Sequence, residues 1–147
     1  MSSPDIRVRI RSLEIRAATL PDQDAVIALW TAAGLTRPWN DPESDFARAL
    51  YGPSSTVLVG QADGELLATA MVGHDGHRGW VYYVAVRGDM RGRGHGTTLM
   101  GAAEDWLRER GVPKIHLMVR DDNAAATGFY QALGYEPASV RVLGRRL

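Results

Sequence analysis

The sequence predicts an α/β protein of a single domain, and three observations carry that expectation. Helix-period and strand-period patterns alternate along the whole chain, and its middle holds three apolar runs separated by Asp-Gly turns. A glycine-rich loop, "MRGRGHG" at residues 90–96, stands between the strand pattern "WVYYVAV" and the helix pattern "TTLMGAAEDWLRERG". With 147 residues, 45% apolar and 23% charged, the chain is long enough to bury one core and short for two. Seventeen basic residues balance seventeen acidic ones. No overall field therefore draws the chain to nucleic acid or an anionic membrane, and any cationic site must be local. The absence of cysteine excludes a disulfide framework, a thiolate nucleophile and a cysteine metal site. No signal-peptide pattern and no stretch of the ~20 apolar residues that cross a bilayer appear, so a cytoplasmic protein without metal, nucleic-acid or membrane partners is expected.

The elements follow in order. In residues 1–12, "IRVRIRS" alternates apolar residues with arginine; an extra edge strand and a mobile extension are both open, and the mobile extension is preferred. Residues 13–147 then form the domain, beginning with the strand "LEIRAAT". In "TLPDQDAVIALWTAAG", Thr19 and Asp22 have capping-box spacing, Val26, Ile27, Trp30 and Ala33 share a face, and Gly34 ends the helix. A shorter helix is expected in "NDPESDFARALYG", capped by Asp41, with Pro42 in its first turn, Phe46 and Leu50 one turn apart, and Gly52 as its stop. The runs "STVLVGQ", "ELLATAMVG" and "WVYYVAV" read as an antiparallel meander. After the loop, Leu99, Met100, Ala103, Trp106 and Leu107 form a helical stripe ending at Gly111 and Pro113. "KIHLMV" is a strand, "NAAATGFYQALG" a helix and "ASVRVLG" a last strand. The predicted order is βααβββαβαβ.

The loop invites an anion. Glycines at 92, 94 and 96 put no Cβ between an incoming group and the backbone N–H groups, and the positive end of the following helix adds to their field. Arg91 and Arg93 supply forked donors suited to phosphate. An ordinary glycine-rich turn is the competing reading. A nucleoside-triphosphate loop fails, because Gly96 is followed by Thr97 and Thr98 with no lysine. A dinucleotide site of the NAD type has Asp121 and Asp122 for a ribose, but the spacing is Gly-x-Gly-x-Gly and the upstream strands look antiparallel.

A further answer comes from resemblance. Arg91-x-x-Gly94-x-Gly96 is similar to the Arg/Gln-x-x-Gly-x-Gly/Ala signature of the GNAT superfamily of N-acetyltransferases. "YYVAV" before it, "NAAATGFYQALGY" after it and the element order agree with that family from Leu13 to Leu147, and "LTRPWNDP" and "GHDGHRG" resemble its small bacterial YpeA-type branch. The resemblance implies a GNAT-like fold with a mixed, strongly twisted sheet flanked by helices, and acetyl-CoA as cosubstrate. It places the pantetheine arm along Val84, Ala85 and Val86, and the pyrophosphate on Arg91, Gly92, Arg93, Gly94, His95 and Gly96. An amine acceptor then attacks the thioester directly, a strand N–H steadies the oxyanion, and Tyr130 protonates the leaving thiolate. A phenol of pKa about 10 keeps its proton at neutral pH. Asn123 both caps its helix and lies near the coenzyme. Homodimers are common among such proteins, and a homodimer is open here.

The general base departs from the better-understood branches, since the position that often holds glutamate on the fifth strand matches Met118, which takes no proton. His74 and His77, flanking Asp75, are the right residue type, and a polar turn with solvated histidines is the equal alternative. Acceptor recognition is assigned to Arg37, Trp39 and Asn40 between the first two helices; a capping and packing role competes. Glu43 and Asp45 offer charge to a cationic acceptor, but a solvated helix face is the preferred use. A non-catalytic acyl-CoA-binding or regulatory module is the rival function, kept open by Met118.

Overall fold

A computed structural model describes residues 12–147, so the extension expected over residues 1–12 lies outside the described residues apart from Ser12. Two compact units are present, one ending at Leu117 and the other formed by Met118–Leu147.

The first unit is built on a sheet of five strands in sequential order: β1 (Glu14–Ala17), β2 (Ser55–Ala62), β3 (Glu65–His74), β4 (Gly79–Val86) and β5 (Ile115–Leu117). Pairing is antiparallel from β1 to β4, whereas β5 runs parallel to β4, so the sheet is mixed as expected. The connections explain the change of direction. Short turns join β2 to β3 and β3 to β4, while the chain reaches β5 through helix α3 (His95–Glu109), the crossover that a parallel pair requires. Asp63 and Gly64 at the first turn both have positive φ, 51° and 78°, which matches the twist of a tight hairpin. In the second, Asp75 Oδ1 accepts the backbone N–H groups of His77 and Arg78, both at 2.8 Å.

Helix α1 (Gln23–Ala32) is entered through a 3-10 turn, Leu20–Asp22. Asp22 reaches back as its spacing predicts, accepting the Thr19 N–H at 2.7 Å. Arg16 on β1 then grips the same carboxylate with two bonds of 2.7 and 2.9 Å. That ion pair holds the Asp22 carboxyl well below the usual carboxylate range against the opposing effect of burial. Helix α2 (Pro42–Tyr51) is capped by Asp41, which accepts from the Glu43 N–H at 3.1 Å and the Ser44 hydroxyl at 2.8 Å.

Val26 and Trp30 of α1 and Phe46 and Ala49 of α2 pack with Val57, Val59 and Ala85 of the sheet. Each fully buried ring in this cluster stabilises the fold by roughly 3 kcal/mol. Helix α3 covers the other face and buries Leu99, Met100, Ala103 and Leu107. It comes so close that a Cβ on Gly79 would stand 2.5 Å from the Leu107 side chain. Trp106, expected in that stripe, is half-buried, and the Arg110 guanidinium lies 3.7 Å over its ring.

Strand β4 is irregular at one point. Thr69 pairs with Ala85 and Met71 with Tyr82, so Tyr83 and Val84 together oppose the single residue Ala70. This is a β-bulge. Tyr83 takes φ of 53° there and, apart from Asp63, is the one non-glycine among the described residues with positive φ.

The second unit has one regular element, α4 (Ala124–Ala132), whose cap Asn123 accepts the Ala126 N–H at 3.0 Å. Two expectations are corrected near this unit. The last strand is not formed: residues 138–144 carry no regular structure and are exposed. Pro137 withholds an N–H, and a unit whose only regular element is a helix offers no strand edge for pairing. "KIHLMV" is also shorter than expected, with β5 stopping at Leu117, so Met118 lies beyond the strand. The observed order is βααβββαβα.

Candidate functional site

Strand β4 organises the candidate site, with a glycine cradle following its C-terminal end and a side-chain groove beside its N-terminal half. At the cradle, Gly92 and Gly94 sit in the left-handed region, with φ of 78° and 80°, and a Cβ on either would meet nothing within 4 Å. Glycine is therefore needed for the backbone direction, and the space above it is open. Gly94 caps α3 without a side chain to do so. Thr98 N–H bonds to Gly94 O at 3.1 Å, whereas the N–H groups of His95, Gly96 and Thr97 find no backbone acceptor among the described residues. Orphan donors at a helix N-terminus form an anion site.

The arginines fit that reading. Arg87 is occupied by Asp89 at 2.6 Å and Glu65 at 3.1 Å. Arg91 and Arg93 are exposed and make no hydrogen bond or ion pair among the described residues. His95 is only 5% exposed, so its ring turns inward and its backbone N–H alone faces the cradle. Val84, Ala85 and Val86 lie on an open edge. β5 pairs only with Gly79–Val81, and from Tyr82 onward this side of β4 has no strand partner among the described residues. The edge opens where the bulge begins.

The groove, of about 390 Å³, lies between α2 and the β3–β4 hairpin and is lined in part by Asp45, Arg48, Met71, His74, Trp80 and Tyr82. Trp80 and Tyr82, two residues apart on one strand face, hold their rings 6.4 Å apart and within 15° of parallel. The next residue, Tyr83, also turns toward the helices. Its ring stacks on Trp30 at 4.0 Å and 14°, and its hydroxyl donates to Asp45 Oδ2 at 2.6 Å. Two consecutive side chains on one side of a strand are possible only at a bulge. Burial, and then the Asp45 carboxylate, push the Tyr83 phenol well above the usual tyrosine range, so it remains a donor. Asp45 is thus half-buried and bonded, which corrects its reading as a solvated helix face.

His74, at the end of β3, is half-buried, and its Nδ1 accepts the Gly76 N–H at 3.2 Å. That bond assigns the hydrogen of the neutral ring to Nε2. His77 is exposed, with its Nδ1 3.5 Å from the Arg78 guanidinium. Arg37, Trp39 and Asn40 do not line the groove. Arg37 donates to Gly34 O at 2.7 Å and Thr36 O at 3.0 Å, tying off the end of α1. Trp39 is 58% exposed and so is not packed beneath the turn, and Asn40 is exposed.

In the second unit, Tyr130 is half-buried on α4, edge-on to Phe129 at 5.0 Å and to Tyr135 at 5.8 Å. Burial pushes its phenol up to about 12. The Asn123 side chain is engaged as a cap, and Met118 is 52% exposed.

Five residues of the groove system were not singled out from the sequence: Trp30 and Tyr83 for their stack, Trp80 and Tyr82 for their wall, and Arg48 for its charge. "WVYYVAV" reads as a plain apolar run, and a bulge leaves no local mark in it.

Comparison with known proteins gives these features a lineage. Over 135 residues the chain is 47% identical to an acetyltransferase of Pectobacterium atrosepticum and 44% identical to one of Yersinia enterocolitica, each alignment covering 92% of this chain and 96% of the relative. Among solved structures, the aminoglycoside N-acetyltransferase AAC(6')-Iy in complex with CoA shares the fold at a TM-score of 0.81 and 17% identity, over 92% of this chain and 95% of that one. A transcriptional regulator from Bacillus halodurans shares it at 0.78 and 21%, over 92% and 100%. Such distant likenesses speak to fold alone. The profile of the acetyltransferase (GNAT) family matches residues 14–135, and with relatives at this identity across nearly the whole chain, the protein belongs to that family.

Proposed function

We propose that this acetyltransferase moves an acetyl group from acetyl-CoA to a primary amine by direct attack. The observation that carries the proposal is the cradle after β4, where two left-handed glycines, three unpartnered helix N–H groups and two unpaired arginines converge. A pyrophosphate fits this donor set by charge and by the number of acceptor oxygens it brings. The antiparallel pairing of β2, β3 and β4 favours it over a dinucleotide, whose fold needs parallel βαβ halves.

Bound acetyl-CoA would supply an activated thioester carbonyl. The chain's residues then divide the work. Arg91, Gly92, Arg93, Gly94, His95 and Gly96 hold the diphosphate, and the open edge at Val84, Ala85 and Val86 pairs with the pantetheine amides and offers an N–H to the developing oxyanion. Tyr130, with its phenol protonated far above neutral pH, is the acid for the leaving thiolate, and Asn123 positions the start of its helix. The acceptor enters from the groove. His74 turns its ring to Trp106 of α3 at 6.1 Å, and its Nδ1, the one atom of its neutral ring able to take a proton, is engaged by Gly76, so a base role for it requires that bond to open. An amine of pKa about 10.4 is mostly ammonium at pH 7, so transfer quickens with pH until the free amine dominates. Arg37, Trp39 and Asn40 are proposed to guide the acceptor at the α1–α2 connection.

The test is a thermal-shift comparison of acetyl-CoA, CoA, NAD and ATP on the native protein and on an Arg91→Ala, Arg93→Ala double variant. At a hundredfold excess over Kd a ligand adds about 2.7 kcal/mol of stability. Acetyl-CoA is expected to raise the melting temperature of the native protein and to do so much less for the variant. Stabilisation by NAD, or by none of the four, overturns the proposal. Tyr130→Phe then separates enzyme from binding module: an enzyme keeps its affinity for CoA and loses turnover, whereas a module has no turnover to lose.

A further inference from the structure

We infer that the groove beside β4 takes a small amine that also carries one anionic group, chemically of the α-amino-acid type, and that it disfavours polycationic amines. This rests on the acetyl-transfer reading above and names the substrate class for it.

The polar groups of the groove carry the inference. Among the described residues Asp45 is its only carboxylate, and Arg48, one helical turn further along α2, lines the same space. Side chains three residues apart on a helix sit about 5–6 Å apart at Cβ and commonly pair, yet no ion pair joins these two among the described residues. The cause is visible on β4. The Tyr83 hydroxyl holds Asp45 Oδ2 at 2.6 Å, and the stack of Tyr83 on Trp30 fixes that hydroxyl in turn. Asp45 Oδ1 is left for a ligand, and so is Arg48, which makes no side-chain hydrogen bond or ion pair among the described residues and whose charge is otherwise felt at Asp41. His74 adds no donor, because its ring turns to α3 on the other face of the sheet, 6.1 Å from the Trp106 ring. The groove therefore offers one anionic acceptor beside one full positive charge.

An ammonium and a carboxylate on neighbouring atoms of one small molecule answer both halves of that set. A molecule with several ammonium groups finds one oxygen to bind and meets Arg48 with its remaining charge, an opposition that selects against it. The rest of the wall is mostly apolar, with the Trp80 and Tyr82 rings and Met71, joined by Ser54 and by Ser55, whose hydroxyl donates to Ala49 O. A volume of about 390 Å³ stands near the small end of small-molecule sites, roughly 300–1,000 Å³, which suits one amino acid with an aromatic or branched side chain.

The experiment is isothermal titration of the CoA-bound protein with L-phenylalanine and L-leucine, with their uncharged-carboxyl amides, and with sisomicin as a polycation, alongside thiol release from acetyl-CoA with each. The amino acids are expected to bind at least tenfold tighter than their amides and to release thiol, with sisomicin weakest. Arg48→Ala, or Arg48→Gln should the first variant melt early, is expected to shrink the acid-to-amide ratio below about threefold by weakening the acid alone. Asp45→Asn, which still accepts from Tyr83, is expected to weaken acid and amide alike. Equal binding of acid and amide by the native protein, tighter binding of sisomicin, or no binding of either amino acid overturns the inference. If acetyl-CoA still raises the melting temperature in those cases, the donor reading survives; if it does not, that reading has failed first.

Discussion

The two ends of β4 are built from different materials. At its C-terminal end the candidate donor cradle is almost entirely backbone: glycines at φ of 78° and 80° and three helix N–H groups, drawn from a few consecutive residues. At its N-terminal half the groove is all side chain, and its key bond joins Tyr83 to Asp45 across 38 positions of sequence. A backbone site is stiff and sees only the part of a ligand common to every reaction of its kind. A side-chain site is set by long-range packing and is where one relative can differ from the next.

The largest expected effect breaks the backbone end. Gly94→Val places a β-branched residue at φ of 80°, where an ordinary L-residue already pays about 1–2 kcal/mol, and swings the first N–H groups of α3 away from a common target. Affinity for acetyl-CoA should fall about a hundredfold by titration calorimetry, or nearly 3 kcal/mol, with far-ultraviolet circular dichroism retained. Native affinity in that variant would show that the cradle is not backbone-built. Removing the charges should cost less. Arg91→Ala with Arg93→Ala is expected to weaken acetyl-CoA about tenfold at low salt and only a few-fold at 0.5 M, because exposed guanidinium groups are screened while helix N–H groups at contact distance are not.

That contrast also explains what could be read from the sequence. Gly92, Gly94 and Gly96 announce the cradle because glycine's freedom is a local property, and the caps at Asp41 and Asn123 are legible for the same reason. The groove was not, since nothing near Asp45 in "NDPESDFARALYG" says that a bulged tyrosine will meet it. Asp45 therefore looked solvated, and Tyr83 looked like one more strand residue. The missing last strand failed on partners: "ASVRVLG" has the strand pattern, but a strand needs an edge, and the sequence does not say whether one is offered.

Tyr83→Phe probes the side-chain end. It keeps the stack on Trp30 and removes one hydroxyl, leaving Asp45 with one donor fewer. Chemical denaturation should show a loss of about 1 kcal/mol, while acetyl-CoA affinity stays within twofold, since the backbone of the cradle is untouched. Tyr83→Ala, which also loses the stack, should lose more. Equal losses in the two variants would mean that the bond to Asp45, and not the ring packing, fixes the bulge.

The smallest effect tests a polar contact remote from both ends. Asp22 on the approach to α1 is held below the ordinary carboxylate range by Arg16. A carboxyl whose folded pKa is depressed binds its proton more weakly folded than unfolded. Its stabilisation is therefore complete above the unfolded value of about 3.9 and drains away as pH falls from there toward the folded value. The Arg16 side chain is 34% exposed, so solvent screening limits the pair to about 1 kcal/mol at neutral pH. Arg16→Met should lower stability by that amount at pH 7 and by only part of it at pH 2, giving a shallower acid limb in urea melts than the native protein. Affinity for acetyl-CoA should not move with it. If it does, the first strand reaches the cradle energetically, and the division of labour along β4 is less clean than its geometry indicates.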